Sequence, residues 1–241
     1  MGQYQNERTE NCMVCGEKLV YLEIGTEFQC LKCNGLELGY VYCPNHHYVC
    51  DECHGKEQFD EILRLALTVK GKNPIVNAEY MMKRVSIPML GCEHGWIAAA
   101  SLMAAIRNTG QITISDEQIK EALYRTKRQA IGAYCGLTGI CGIAPAIGAS
   151  FSVILGAACP KDRETAVTMH VVARVIEAVA NEAGPCCCKN FLRTSLSLAC
   201  ELVAKHLEIK LSNDRKIICG DSHRHPHGCR ASKCNYFNHV V

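Results

Sequence analysis

Between Cys12 and Cys53 the chain reads Cys12-x2-Cys15, Cys30-x2-Cys33, Cys43-x3-His47 and Cys50-x2-Cys53. Eight soft ligands in four close pairs constrain this stretch more tightly than any apolar pattern in it. A Cys-x2-Cys turn points both thiolates at one tetrahedral ion, with Zn–S bonds of about 2.3 Å. Four such pairs therefore predict two zinc ions. A module of residues 1–55 is too small to hold itself together by apolar burial, and closed zinc sites supply folding energy directly. With every tetrahedral position filled, the module offers a substrate no open site, so its role is structural. Thiols packed into a small core are the bland alternative, and they would not need ligand spacing.

Two pairings are open. A sequential scheme gives one ion to Cys12, Cys15, Cys30 and Cys33, and squeezes the other four ligands into one short segment. A cross-brace lets alternate pairs share: Cys12, Cys15, Cys43 and His47, then Cys30, Cys33, Cys50 and Cys53. His46 or His54 could stand in for His47. The stretch from Cys43 to Cys53 resembles RING-like and treble-clef fingers. That resemblance covers this module alone and implies a docking surface for a protein partner.

The whole chain carries 18 cysteines. The polar opening residues contain no apolar signal region, and Cys186, Cys187 and Cys188 are consecutive, which suits a disulfide framework poorly. The expected setting is reduced, cytoplasmic and oxygen-avoiding. With 26 Lys and Arg against 24 acids the net charge is only +2. Lys18, Lys32 and Lys56 are scattered, so nucleic acid is not the expected partner. Residues 136–159 lack any charge and are long enough to cross a bilayer. Gly139, Gly142, Pro145 and Gly148 interrupt them, so they read as a glycine-rich loop and a buried helix, with no membrane role.

From residue 56 to 241 the pattern is mainly α, with short strands expected only in the module, at 19–24 and 37–42. Phe59, Ile62, Leu63, Leu65 and Leu67 mark an amphipathic helix, and another follows Pro74. A third, at 95–107, stops at Asn108-Thr109-Gly110. Ser115 and Gln118 form a capping-box pattern ahead of a charged helix to about 130. Further helices are expected at 143–157, at 163–182 with Val167, Val171, Val175 and Val179 near one face, and from Pro185 to about 206. A Cys/His-rich tail follows.

The body cysteines are Cys92, Cys135, Cys141, the triplet Cys186–Cys188, and the tail residues Cys219, Cys229 and Cys234. Many precede or begin a predicted helix, where N–H groups and the helix dipole favour thiolate. Thiolates gathered from separate loops suit an iron–sulfur cluster. Glycines beside Cys92, Cys135 and Cys141 would let the backbone approach the sulfides. Cys159 and Cys200 lie in apolar helical contexts and read as core. His170 and His206 read as ordinary, partly exposed histidines. His223, His225 and His227 either join Cys219 and Cys229 on zinc or sit in a solvated loop. Packing alone is the bland reading of the remaining body thiols.

Gly91-Cys92-Glu93-His94-Gly95, Tyr134-Cys135-Gly136 with Cys141-Gly142, Cys187-Cys188-Lys189 and the three tail cysteines together resemble a Cys-rich family of anaerobic prokaryotes known only as a domain of unknown function. Some members are fused to SAM-dependent methyltransferase or radical-SAM modules. The resemblance covers nearly the whole chain. It implies Cys92, His94, Cys135, Cys141, Cys187, Cys188, Cys219, Cys229 and Cys234 as cofactor-binding residues, with Cys159, Cys186 and Cys200 extra. It implies no reaction. Gly139 to Pro145 and Pro185-Cys186 with Lys189-Asn190 are similar to segments of iron–sulfur serine dehydratases and cysteine desulfidases, in a different order. That likeness points to lyase or sulfur chemistry at an open iron. Cys92 and His94 could instead be a nucleophile and its base, although neighbours two apart rarely reach that geometry.

Three functions compete. The first is an iron–sulfur protein doing redox, sulfur-transfer or lyase chemistry. The second is a non-catalytic zinc protein that docks to or delivers for a methyltransferase or radical-SAM enzyme. Nucleic-acid binding through the fingers is the third. There is no P-loop or G-x-G-x-x-G after a strand, so no nucleotide cofactor is expected. A homodimer through a helical face is permitted by the apolar content.

Overall fold

The computed structural model describes residues 11–237, except 13, 51, 133, 183, 185 and 215. The chain divides after Glu57 into two compact units.

The first unit is built on a two-stranded antiparallel hairpin. Strand β1 is Val20–Gln29 and β2 is Leu36–Tyr42, with a register irregularity between Tyr21 and Thr26. Phe28 stacks on Tyr42 and Tyr48, with centroids at 5.7 and 5.1 Å. Gly39 allows this, since a Cβ there would lie 2.7 Å from the Tyr48 ring. The buried core of the unit is Cys30, Cys50 and Cys53, flanked by Tyr48 and Val49. A core made of thiols cannot fold a unit of this size by apolar burial alone.

The second unit is helical, and the described residues hold eight α-helices. They are α1 Lys56–Thr68, α2 Pro74–Arg84, α3 Glu93–Thr109, α4 Asp116–Gln129, α5 Tyr134–Thr138, α6 Ile143–Leu155, α7 Asp162–Asn181 and α8 Cys188–Leu207. The mainly α class with two N-terminal strands is thus as the sequence predicts.

Helix α3 is buried on every side from Glu93 to Ile106, because its run of Ala, Leu and Met leaves no polar face. Helices α2, α4, α6 and α8 pack around it, and α7 covers α6 and α8. On α7 the buried positions are Val171, Val175 and Val179, one narrow stripe at four-residue spacing. The ends follow local chemistry. Asn73 Oδ1 accepts from the Ile75 and Val76 N–H groups at 3.0 and 3.2 Å, and Pro74 opens α2. Ser115 and Gln118 close a capping box on α4. Arg107 donates to the Ala66 and Leu67 carbonyls at 3.1 and 2.7 Å, satisfying the end of α1 from a distant helix.

Two expectations are corrected. Helix α8 starts at Cys188 rather than near Pro185, which lies outside the described residues. Cys159 is exposed and not core: α6 stops at Leu155 with left-handed Gly156 (φ 65°) after it, so the apolar run turns outward before Cys159. Cys200 is buried. No helix among the described residues is long and apolar enough to cross a membrane.

Candidate metal centres

In the first unit alternate ligand pairs converge. Cys12, Cys15, Cys43 and His47 form one group and Cys30, Cys33, Cys50 and Cys53 the other, with all ligand atoms of a group within 4.8 Å of one another. A tetrahedron with Zn–S bonds of about 2.3 Å has S···S edges of about 3.8 Å. Cys15 and Cys43 Sγ stand 3.5 Å apart, Cys33 and Cys50 Sγ 3.7 Å, and His47 Nδ1 is 3.7 Å from both Cys12 and Cys43 Sγ. Among His46, His47 and His54, the geometry selects His47.

The turns themselves dictate this arrangement. Val14, Lys32 and Asn45 each donate a backbone N–H to the sulfur two residues before, at 3.4, 3.3 and 3.4 Å. Such bonds drain charge from a thiolate and fix its direction. Gly16 and Asn34, just past the second cysteine of their pairs, take left-handed φ of 76° and 60°, a conformation those two types tolerate. The Asn45 amide and a backbone donor lower Cys15 to about 6, and the Cys50 N–H leads the lowering of Cys30 to about 6. His47 is raised beside the Cys15 and Cys12 sulfurs. Both groups can hold a metal ion, and their donors are those of structural zinc.

In the helical unit the thiols sort into two neighbourhoods. Cys92 caps α3 and Cys141 immediately precedes the Gly142 cap of α6. Those two ends touch: a Cβ on Gly95 would lie 2.9 Å from the Gly142 carbonyl oxygen. Cys92 feels the charges of Cys135, Cys141 and Cys186, and Cys135 feels that of Cys186. Burial pushes Cys92 up to about 12 and Cys141 to about 11, and raises Cys135. The Cys188 sulfur, with burial, raises Cys186. Sequence reasoning set Cys186 aside as extra, yet it meets Cys92, Cys135 and Cys141. Three consecutive thiols give no periodic signal to say which faces where.

Cys187 belongs elsewhere. It caps α8 and feels Cys219 and Cys234 from the tail. Cys229 is exposed, and its sulfur accepts the Ala231 N–H at 3.4 Å; the structure does not bring it to the other tail thiols. His225 is a clasp: its Nδ1 accepts the His227 N–H at 3.2 Å, so its Nε2 carries the proton and donates to the Cys186 carbonyl at 3.0 Å. His223 and His227 are exposed.

His94 is fully buried, and its Nδ1 lies 3.0 Å from the Gly91 carbonyl. The carbonyl can only accept, so Nδ1 holds the proton and Nε2 presents a lone pair. That Nε2 has no hydrogen-bond partner among the described residues, a situation that costs about 1–3 kcal/mol. Burial lowers its pKa to about 4, keeping the ring neutral. Metal-binding imidazoles are oriented in this way, with one nitrogen tied to a carbonyl and the other bare.

Fold and ligand groups together define a cysteine-rich, mainly helical protein with an N-terminal region able to hold two metal ions. The chain belongs to a family of unknown function, DUF5714, matched over residues 62–237. The match falls within the helical unit and begins beyond the first. No curated protein and no solved structure matches the chain.

Proposed function

We propose that this is a metalloprotein with two structural zinc ions in the first unit and an iron–sulfur cluster in the helical unit, held by Cys92, Cys135, Cys141 and Cys186. The observation that carries this reading is the gathering of those four thiols where the N-termini of α3 and α6 meet. An all-sulfur donor set selects soft ions. Among the described residues, the two N-terminal groups are the ones compact enough for a single ion. The wider body set suits a cluster, which spreads its thiolates over a body several ångström across. Two long helices direct their positive ends at the set, offsetting the charge that thiolate ligands bring.

Bound there, a cluster would supply one-electron transfer or, at an open iron, Lewis acidity for sulfur-transfer or lyase chemistry. The chain's own part is to exclude water and fix the thiols. Cys141 is 8 % exposed, and the His225 clasp holds the Cys186 carbonyl. Cys141→Ser and Cys92→Ser should each lose the iron and acid-labile sulfide of this site in anaerobically purified protein while leaving zinc unchanged. Full iron in both variants would refute the ligand set.

A zinc-only docking protein is the second reading. Ile24, Leu36, Leu38 and Tyr40 on the hairpin are 83, 65, 60 and 53 % exposed, an apolar set suited to a protein partner such as a methyltransferase or radical-SAM enzyme. This reading alone predicts zinc and no iron.

A further inference from the structure

We infer that the C-terminal tail builds a second iron–sulfur site, from Cys187, Cys219 and Cys234 with His94 Nε2 as fourth ligand, beside the first. The inference rests on cluster chemistry in the helical unit but uses none of the first site's ligands.

The tail is fastened where it would have to be. Ile209 and Leu211 are buried in the helical core. The Cys219 N–H donates to the Tyr236 carbonyl at 2.7 Å, which draws the Cys219 and Cys234 segments alongside each other. Cys234 is buried, with its sulfur 3.5 Å from Asn190 Oδ1 on α8. The Cys187 thiol sits in the field of both tail sulfurs, at the positive end of a 20-residue helix.

The surroundings suit an anionic cluster. Arg193, 2 % exposed, grips Glu79 through two bonds of 2.6 and 3.2 Å and lies 5.4 Å from the centre of the Tyr236 ring, with the Cys219 sulfur in its field. Lys189, with a 7 % exposed side chain, pairs with Asp221 at 2.5 Å. Each cation is already paired with a carboxylate, and a thiolate-ligated cluster would add to the negative charge it faces. His94 brings an unpartnered nitrogen: its bare Nε2 is fully buried, and the charges it feels are Lys189, Arg193 and Asp221, the frame of this thiol set.

A single zinc ion fits less well, because these three thiols do not crowd together as the first unit's ligands do. The partition of adjacent Cys186 and Cys187 between two sites follows a known economy, in which a cysteine run contributes to both clusters of a two-cluster ferredoxin. Consecutive Cα atoms are about 3.8 Å apart, so the two sites would share one peptide and exchange electrons readily. An external reductant such as dithionite supplies those electrons.

The test uses full-length protein, purified and reconstituted anaerobically with iron and sulfide. Cys219→Ser and Cys234→Ser should each lose about half of the iron and sulfide, with zinc unchanged. After dithionite, the wild-type electron paramagnetic resonance spectrum should show the broadening of two coupled clusters. Either variant should show one uncoupled signal. His94→Cys should keep the iron but change the signal, whereas His94→Ala should lose part of it. Wild-type iron and an unaltered spectrum in both tail variants would overturn the second site, and an unaltered His94→Cys spectrum would overturn the histidine ligand. Loss in Cys141→Ser with none in Cys219→Ser would leave the first site standing and remove the second.

Discussion

Replacing Gly95 by alanine tests whether the ends of α3 and α6 are in contact, on which the placement of Cys92 beside Cys141 depends. The two effects of the change oppose each other. Gly95 lies within α3, where alanine is favoured over glycine by about 1 kcal/mol. The added Cβ, however, would stand 2.9 Å from the Gly142 carbonyl oxygen and 3.3 Å from its carbon. Backbone cannot rotate away as a side chain can, so the helix ends must separate, and such overpacking costs about 1–3 kcal/mol. The clash wins, leaving a net loss of up to about 2 kcal/mol. For a unit of this size, where each kcal/mol moves the midpoint by about 2–4 °C, the expected fall is up to about 8 °C. Thermal unfolding followed by helical circular dichroism reads it, since the helices lie almost wholly in the second unit. A raised midpoint would show that propensity outweighs contact and that the two ends do not touch.

Three further outcomes follow from the same geometry. Cys30→Ser removes a fully buried ligand and should drop bound zinc from two equivalents to about one, read by elemental analysis. Chelating both ions should unfold the hairpin, because structural zinc contributes about 10–16 kcal/mol to such modules; a hairpin unchanged after chelation would contradict the structural role. In metal-free protein, His94 should make stability depend on pH. Its folded pKa of about 4 lies below the ordinary 6.5, so the unfolded chain takes up the proton first. Stability is then complete above pH 6.5 and falls by about 3 kcal/mol as pH drops towards 4. A denaturant midpoint that is flat from pH 7 to 5, or a slope retained in His94→Gln, would be inconsistent with a buried neutral ring.

Local signals carried most of the helical unit. The Asn73-Pro74 start, the Ser115–Gln118 box and the Gly110 stop are each written in adjacent residues, and the helices lie where those residues put them. The chain spacing of the first unit likewise announced its ligand pairs, while the choice between pairings needed the fold. What stayed hidden depends on separation or direction. Arg193 meets Glu79 across 114 residues, and nothing in either local pattern points to the other. Cys186 and Cys187 are indistinguishable by type and spacing, yet the turn before α8 sends them to different neighbourhoods. Helix α5 spans five residues with none buried, too short for a periodic signal. The role of His225 as a clasp on Cys186 rests on a tautomer fixed by His227, which no motif encodes.

Metal and sulfide analysis of the anaerobically purified full-length chain bears most directly on the central claim. The account predicts two zinc ions per chain together with iron and acid-labile sulfide in equal amounts, a brown colour, and bleaching in air. A colourless protein holding zinc but neither iron nor sulfide, before and after reconstitution, would contradict it.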